Sequence, residues 1–241
     1  MTVTDHYALH LAPIYLWMVG GAAAALEAGR CEIQELALPV GRGASVVDLG
    51  AGFGMHSIPI AQTGASVVAI DTSASLLHTL DELRQGVPVR TVCDDLLTFT
   101  DHLTERPNLI LCMGDTITHL SNASAVLTLV ESAATSLIPG GVFVISLRDY
   151  SVPLLDNQRF IPVRSDRTRI LTCFLEYEAT SVSVHDIVQE LTVDGWKLKV
   201  SHYRKLRLAI SPLVAQLERA GFAVRSEPVV RGLVRLVAVK R

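Results

Sequence analysis

The sequence predicts one α/β domain built on a mostly parallel seven-stranded sheet, with an antiparallel β insert after the fifth strand. Three observations predict it. From about residue 44 onward, apolar runs rich in β-branched residues alternate with helical stretches, the pattern of repeated βα units. After Tyr150, three long strand-like segments follow one another without intervening helices. A last helix and two more strands then complete the chain.

The strands of the first half read as Ser45–Leu49, Ser66–Ile70, Val89–Cys93, Asn108–Met113 and Val142–Leu147. Most are continuous hydrophobic runs, as expected when helices cover both sheet faces. Between them lie helical stretches near His56–Gln62, Ser73–Gln85 and Ala123–Leu137. The insert comprises Ile170–Ala179, Val182–Val193 and Trp196–Leu208, with Asp194-Gly195 as a two-residue hairpin turn. A helix over Pro212–Ala220 ends at Gly221 and is followed by strands Phe222–Ser226 and Leu233–Val239. The arginines Arg159, Arg164, Arg167 and Arg169 read as a solvated loop carrying weak ion pairs. Leu11 to Ala28 is apolar, but Asp5 precedes it, no basic run leads it, and Pro13 and Gly20-Gly21 interrupt it. It reads as a buried N-terminal helix, neither signal peptide nor membrane span.

Composition narrows the function. With 21 basic and 24 acidic residues the formal charge is −3, so there is no basic excess for neutralising phosphates, and a nucleic-acid binder is disfavoured. Cys31, Cys93, Cys112 and Cys173 are scattered, without metal-ligand spacing, which argues against a zinc site or a disulfide framework. Reduced, mostly buried thiols in a cytoplasmic protein are expected.

The segment Val46-Val47-Asp48-Leu49-Gly50-Ala51-Gly52-Phe53-Gly54 places a glycine-rich turn between a buried strand and a helix. Such a turn lets backbone amides approach a ligand closely. Its glycines fall at 50, 52 and 54, whereas the dinucleotide fingerprint would place the third at Met55. Asp48, beside the loop, would repel a pyrophosphate and suit a ligand bearing an ammonium and a sulfonium. That moves the reading from NAD towards S-adenosylmethionine. Asp71 ends the next strand, 21 residues after Gly50, where a carboxylate can accept both ribose hydroxyls. Cys93-Asp94-Asp95 ends the third strand, so an acid there can take an adenine amino hydrogen while Leu96 packs on the ring. The competing reading of these acids is helix N-terminal preference.

The segments DLGAGFG, VVAIDTS and CDDL resemble the cofactor motifs of class I S-adenosylmethionine-dependent methyltransferases. The resemblance implies a Rossmann-like methyltransferase fold and assigns the cofactor to Asp48 with Gly50, Ala51, Gly52, Phe53 and Gly54, to Asp71 with Thr72 and Ser73, to Cys93, Asp94, Asp95 and Leu96, to Met113, Gly114 and Asp115 after the fourth strand, and to Tyr15. His56 falls where family members carry a polar side chain near the cofactor; a helix-surface histidine is the alternative. On this reading the single domain divides into a helical cap (1–43), a cofactor-binding half (44–149), a substrate-covering insert (150–208) and a C-terminal helix with two strands (209–241).

Three further stretches are similar to the glycine N-methyltransferase branch of that family. They are Tyr7 with Tyr15-Leu16-Trp17-Met18, then Met113-Gly114-Asp115-Thr116-Ile117-Thr118-His119-Leu120, and the run from Pro139 to Arg148-Asp149-Tyr150. The resemblance implies that Arg148 binds a substrate carboxylate; an internal salt bridge to Asp149 or Asp115 is the alternative. Asp115 stands where the branch has Asn, which favours a cationic amine or pairs with Arg148. His119 is the candidate proton acceptor or a cofactor contact, while Tyr7, Tyr15, Tyr150 and Tyr177 are candidates for orienting substrate. His185, His202 and Tyr203 lie on insert strands, where alternation turns half the residues to solvent.

The expected activity is methyl transfer to a small-molecule amine or amino-acid nitrogen. An O- or S-methyltransferase of a natural-product pathway is the alternative, and a NAD-dependent oxidoreductase the second. Base methylation is disfavoured because no Asn/Asp-Pro-Pro-aromatic motif follows the fourth strand. The exposed edge of the insert leaves room for a homodimer.

Overall fold

The computed structural model describes residues 3–230 and 232–241. Its main sheet has seven strands in the order β10-β11-β5-β4-β1-β2-β3. The strands are β1 (Ser45–Leu49), β2 (Ser66–Asp71), β3 (Val89–Cys93), β4 (Leu109–Cys112), β5 (Val142–Leu147), β10 (Phe222–Val230) and β11 (Leu233–Lys240). β1 to β5 pair in parallel, and β11 runs antiparallel to both β5 and β10. The strand order reverses beside β1, which opens a crevice at the carboxyl ends of β1 and β4.

Alternation along the strands explains the two cores. Val47 and Leu49 of β1, with Ile110, Phe143 and Ile145, pack under helices α6 (Ala123–Ser136) and α7 (Ile210–Arg219). Val46, Val67, Leu109 and Val144 face the other way, beneath α3 (Ala22–Glu35), α4 (Ser57–Gln62) and α5 (Ala74–Leu83). Asp48 shares that second face with Val46, which places it behind the glycine loop.

The insert is a four-stranded antiparallel sheet, β6 (Phe160–Ser165), β7 (Arg169–Tyr177), β8 (Ser181–Thr192) and β9 (Gly195–Leu206). β6 is the strand absent from the sequence reading: Arg164 belongs to it rather than to a loop, and the guanidinia of Arg164 and Arg169 lie over the Trp17 ring. The sheet's inner face, including Leu175, Val182, Val184 and Tyr203, packs with Tyr150 into a core of its own.

The N-terminal segment departs from a single buried helix. It is α1 (Val3–His6), a π turn (Tyr7–Leu11), a 3₁₀ turn (Ala12–Ile14) and α2 (Tyr15–Met18), broken from α3 at Gly20 and Gly21, both at positive φ. Ile14, Trp17 and Met18 pack on Leu171 and Val188 of the insert, so this segment bridges the two sheets. Among the described residues no single helix is long and apolar enough to cross a membrane. The thiols also differ from expectation: Cys112 is buried and Cys173 half-buried, whereas Cys31 and Cys93 are exposed.

Candidate active site

A cavity of about 330 Å³ opens at the switch point of the main sheet. Its walls come from the glycine loop (Gly50, Ala51, Gly52, Phe53, His56), the end of β2 (Asp71, Thr72), the end of β3 (Asp94, Asp95, Leu96, Leu97), the turn after β4 (Met113, Gly114, Thr116, His119) and the N-terminal segment (Tyr7, Tyr15).

The loop geometry is set by local chemistry. Asp71 accepts the Gly52 amide at Oδ2 and the Ser73 amide at Oδ1, both at 2.8 Å, and so ties the glycine loop to the end of β2. Two backbone bonds leave further acceptor sites on this carboxylate in the cavity wall. Burial pushes its pKa up. A side chain at Gly50 would come within 2.5 Å of Thr116, so this glycine permits the close approach of the β1 and β4 turns. Gly52, at φ +55°, is different: a Cβ there would have only Leu76 near it, at 3.9 Å, which leaves its backbone bare towards the cavity. Gly54 packs against Leu80 and Ile58 and does not line the cavity.

The acids at the end of β3 are both in the wall. Asp94 bonds His102 at 2.8 Å, which lowers its pKa, and Asp95 caps the following turn by accepting the Leu97 amide. Ser73 caps α5 and Cys93 turns towards the Thr72 carbonyl, so neither reaches the cavity. Asp48 is also displaced from its expected place: it is buried, accepts from the Ser57 hydroxyl at 2.6 Å, and fastens β1 to α4. Its carboxyl pKa is raised by burial, and it does not line the cavity. His56 does line it, while bonded to Glu32 at 3.0 Å.

The other end of the cavity is aromatic. Tyr7 sits 6.2 Å from Tyr15 and 5.7 Å from His119, centroid to centroid, and Tyr15 meets Phe53 edge-on at 5.9 Å. His119 stacks on Tyr203 of β9, its Nε2 is 3.5 Å from the Tyr7 hydroxyl, and its Nδ1 is buried without a hydrogen-bond partner. Burial, then the charge of Lys205, push the imidazole pKa well below its ordinary value. The ring is therefore neutral at physiological pH. Burial also raises the Tyr7 and Tyr15 hydroxyls, so both stay protonated.

Arg148, Tyr150 and Asp115 do not line this cavity. The Arg148 amide donates to Asp115 Oδ1 and its guanidinium packs against Gly232, in the turn between β10 and β11. The Tyr150 hydroxyl and the Lys205 ammonium both donate to Asp115 Oδ2. Asp115 is thus neutralised inside the protein instead of facing a substrate. Tyr177 and Arg207 pair away from the cavity, and His185 and His202 stack together on the insert's outer face. Sequence reasoning missed Lys205, His6 and Asp186. Period-2 alternation carried the available signal, since Ser201, Tyr203 and Lys205 all turn inward from β9.

His6 is fully buried, bonded through Nε2 to Asp186 and through Nδ1 to Ser201, and Cys173 donates its thiol hydrogen to the same Asp186. These contacts pin the N-terminal segment to the insert and hold Tyr7 and Tyr15 in the wall.

Residues 46–141 match the family model of a methyltransferase domain. A glycine/sarcosine N-methyltransferase of Halorhodospira halochloris is 30% identical over 154 residues, covering 61% of this chain and 56% of that protein. One from Aphanothece halophytica is 32% identical over 112 residues, covering 45% and 42%. The chain thus spans about half the length of the curated relatives it matches. Among solved structures, an S-adenosylmethionine-bound amino pentose methyltransferase of calicheamicin biosynthesis from Micromonospora echinaspora superposes with a TM-score of 0.75, at 16% identity and 97% and 98% coverage. A methyltransferase from Clostridium acetobutylicum gives 0.71, at 16% identity and 94% and 95% coverage.

Proposed function

Taking as premise that residues 46–141 belong to the methyltransferase domain family and that the fold is that of class I S-adenosylmethionine-dependent methyltransferases, we propose that this protein methylates a nitrogen of a small-molecule amine. The cavity fits the cofactor by its own features. Gly52 presents bare backbone, Asp71 keeps acceptor sites for a ribose diol, and Asp94 or Asp95 with Leu96 and Leu97 suits an adenine ring. These are the groups expected to hold it, in place of the wider set with Asp48, Gly54, Ser73, Cys93 and Asp115. The bound cofactor supplies a methyl group already activated on a sulfonium, so the protein needs to position rather than to activate. The nicotinamide alternative is set aside by the methyltransferase-domain match.

One observation carries the choice of nitrogen: His119, a neutral imidazole, stands in the cavity wall with its Nε2 beside the Tyr7 hydroxyl. In the tautomer protonated at Nδ1, Nε2 is the acceptor; 3.5 Å from the Tyr7 hydroxyl, it is held loosely enough to accept an amine N–H and so aim the nitrogen lone pair at the methyl. With so low a pKa it is a poor base, so the amine's excess proton goes to water before transfer and His119 orients the free base. In the displacement the nitrogen pair forms the new N–C bond, and the C–S pair returns to sulfur. The cavity lining has neither Lys nor Arg to meet a carboxylate. That favours an uncharged or cationic acceptor over one held by its carboxylate. The test is methyl transfer from labelled cofactor to a panel of amines and amino acids, beside calorimetry with S-adenosylhomocysteine. Transfer to amines lacking a carboxylate is expected; transfer confined to hydroxyl or thiol acceptors would overturn the reading.

The insert also supports a homodimer. Over four rows of its outer face, from the row of Phe174, His185 and His202 to that of Leu191 and Trp196, β7, β8 and β9 present no Asp, Glu, Lys or Arg. Trp196, Leu198 and Val200 are exposed there by 52%, 62% and 54%. A twofold axis through this face stacks it on its own copy without opposing like charges. A dimer by light scattering, turned monomeric by Leu198→Glu, is expected; a monomeric wild type would refute it.

A further inference from the structure

Lys205 is a buried ammonium that the reading above does not use. It projects inward from β9, is 8% exposed, and donates to Asp115 Oδ2. Asp115 opens the 3₁₀ turn Thr116–His119 from a left-handed conformation at φ +73°. Its carbonyl accepts the Thr118 amide and hydroxyl, at 3.1 and 2.6 Å, and its own amide donates to the Ser146 carbonyl at 2.9 Å. Although it stands at the head of that turn, its side chain makes no capping bond there. The carboxylate is turned instead towards Lys205, the Tyr150 hydroxyl and the Arg148 amide. Two residues before Lys205 on the same strand, Tyr203 stacks on the imidazole at the far end of the turn, 5.3 Å between ring centroids at 23°. β9 therefore grips the turn at both ends, by charge at Asp115 and by a ring at His119.

We propose that Lys205 is a positioning residue of the transfer step: through Asp115 it fixes the turn that carries His119, and its ammonium, over the Tyr203 ring that stacks on the imidazole, sets a buried positive charge beside that ring. The proposal rests on the reading of His119 given above. The groups facing the imidazole are Tyr7 and His6 from the N-terminal segment and Tyr203 and Lys205 from β9, while Asp115, bonded to Lys205 and to the Tyr150 hydroxyl, stands behind the lysine. Among these, Lys205 is paired to a carboxylate, which is what retains an ammonium at this depth. A positive charge near a histidine opposes its protonation; removing it, with the Asp115 carboxylate left behind, favours protonation.

The experiment is a pH titration of histidine-labelled protein by NMR, with the His119 signal identified in His119→Gln. In the wild type the His119 ring should stay neutral to well below pH 6.5. In Lys205→Met its protonation midpoint should rise by about one pH unit or more, and in Lys205→Arg it should stay low. The double variant Lys205→Met with Asp115→Asn leaves no unpaired buried charge, so it carries the test if the single variant does not fold; its midpoint should rise as well, by less, because the carboxylate goes with the lysine. A midpoint unmoved in every variant, with only the melting temperature lowered, would show a merely structural lysine and overturn the proposal. On the enzyme, Lys205→Met should lower kcat with S-adenosylhomocysteine affinity unchanged, and should bring the acid limb of the rate profile up towards neutral pH. If the wild type methylates no amine, the functional reading fails while the titration still decides the role of Lys205.

Discussion

The two ends of the cavity are built differently. The cofactor end is made of strand-end turns whose parts lie close together in the chain: Gly52 and Asp71 are 19 residues apart, and Asp71 to Ser73 is a single turn. The acceptor end is made of residues that only the tertiary fold brings together. Tyr7 meets His119 across 112 positions, Lys205 meets Asp115 across 90, and His6 meets Asp186 across 180. A site of the first kind depends on backbone shape and tolerates change elsewhere in the chain. A site of the second kind depends on the docking of the N-terminal segment and the insert.

The largest effects should fall where one side chain serves a whole end. Asp71→Ala removes the acceptor for two loop amides as well as the ribose contacts proposed for it, and should weaken S-adenosylhomocysteine binding by about 3 kcal/mol or more, over a hundredfold by calorimetry. Asp186→Ala should act on the other end alone. It strips His6 of a buried partner and Cys173 of an acceptor, at a cost of about 2–3 kcal/mol in denaturant unfolding. Cofactor affinity in the folded fraction should hold; loss of affinity equal to that of Asp71→Ala would erase the distinction between the ends.

This division explains what the sequence could reveal. Strand ends, glycine spacing and the acids at 71, 94 and 95 are local patterns, and all three acids lie in the cavity wall. Asp48 was misplaced for want of one step: it shares the parity of Val46, so alternation turns it behind the loop towards α4. β6 was hidden because its exposed Arg164 and exposed apolar Phe160 and Val163 mimic a loop. Lys205 and His6 were illegible for a deeper reason. A buried cation or imidazole is explained by its partner, and the partners, Asp115 and Asp186, are chosen by packing between sheets.

A middling effect is expected at His119. His119→Ala should lower kcat by about 10- to 100-fold, about 1.4–2.7 kcal/mol, with cofactor binding little changed. Because burial and Lys205 hold the ring neutral, the wild-type rate should show no acid limb from this group near pH 6.5. A limb near pH 6.5 that disappears in His119→Ala would mean that the ring titrates as an exposed histidine does, and that the acceptor end is open to water.

The smallest effect is expected at Arg148, and it cuts most sharply between sequence and structure. Resemblance assigns this arginine to a substrate carboxylate, whereas the fold lays its guanidinium against Gly232 and outside the cavity wall. The Arg148 backbone amide, which donates to Asp115, survives any side-chain substitution. Arg148→Ala should therefore change kcat/KM for an amine by less than about threefold, under about 0.7 kcal/mol. A loss of several hundredfold with cofactor affinity intact would move the acceptor site towards the carboxyl end of β5, and would mean that the acceptor bears a carboxylate after all.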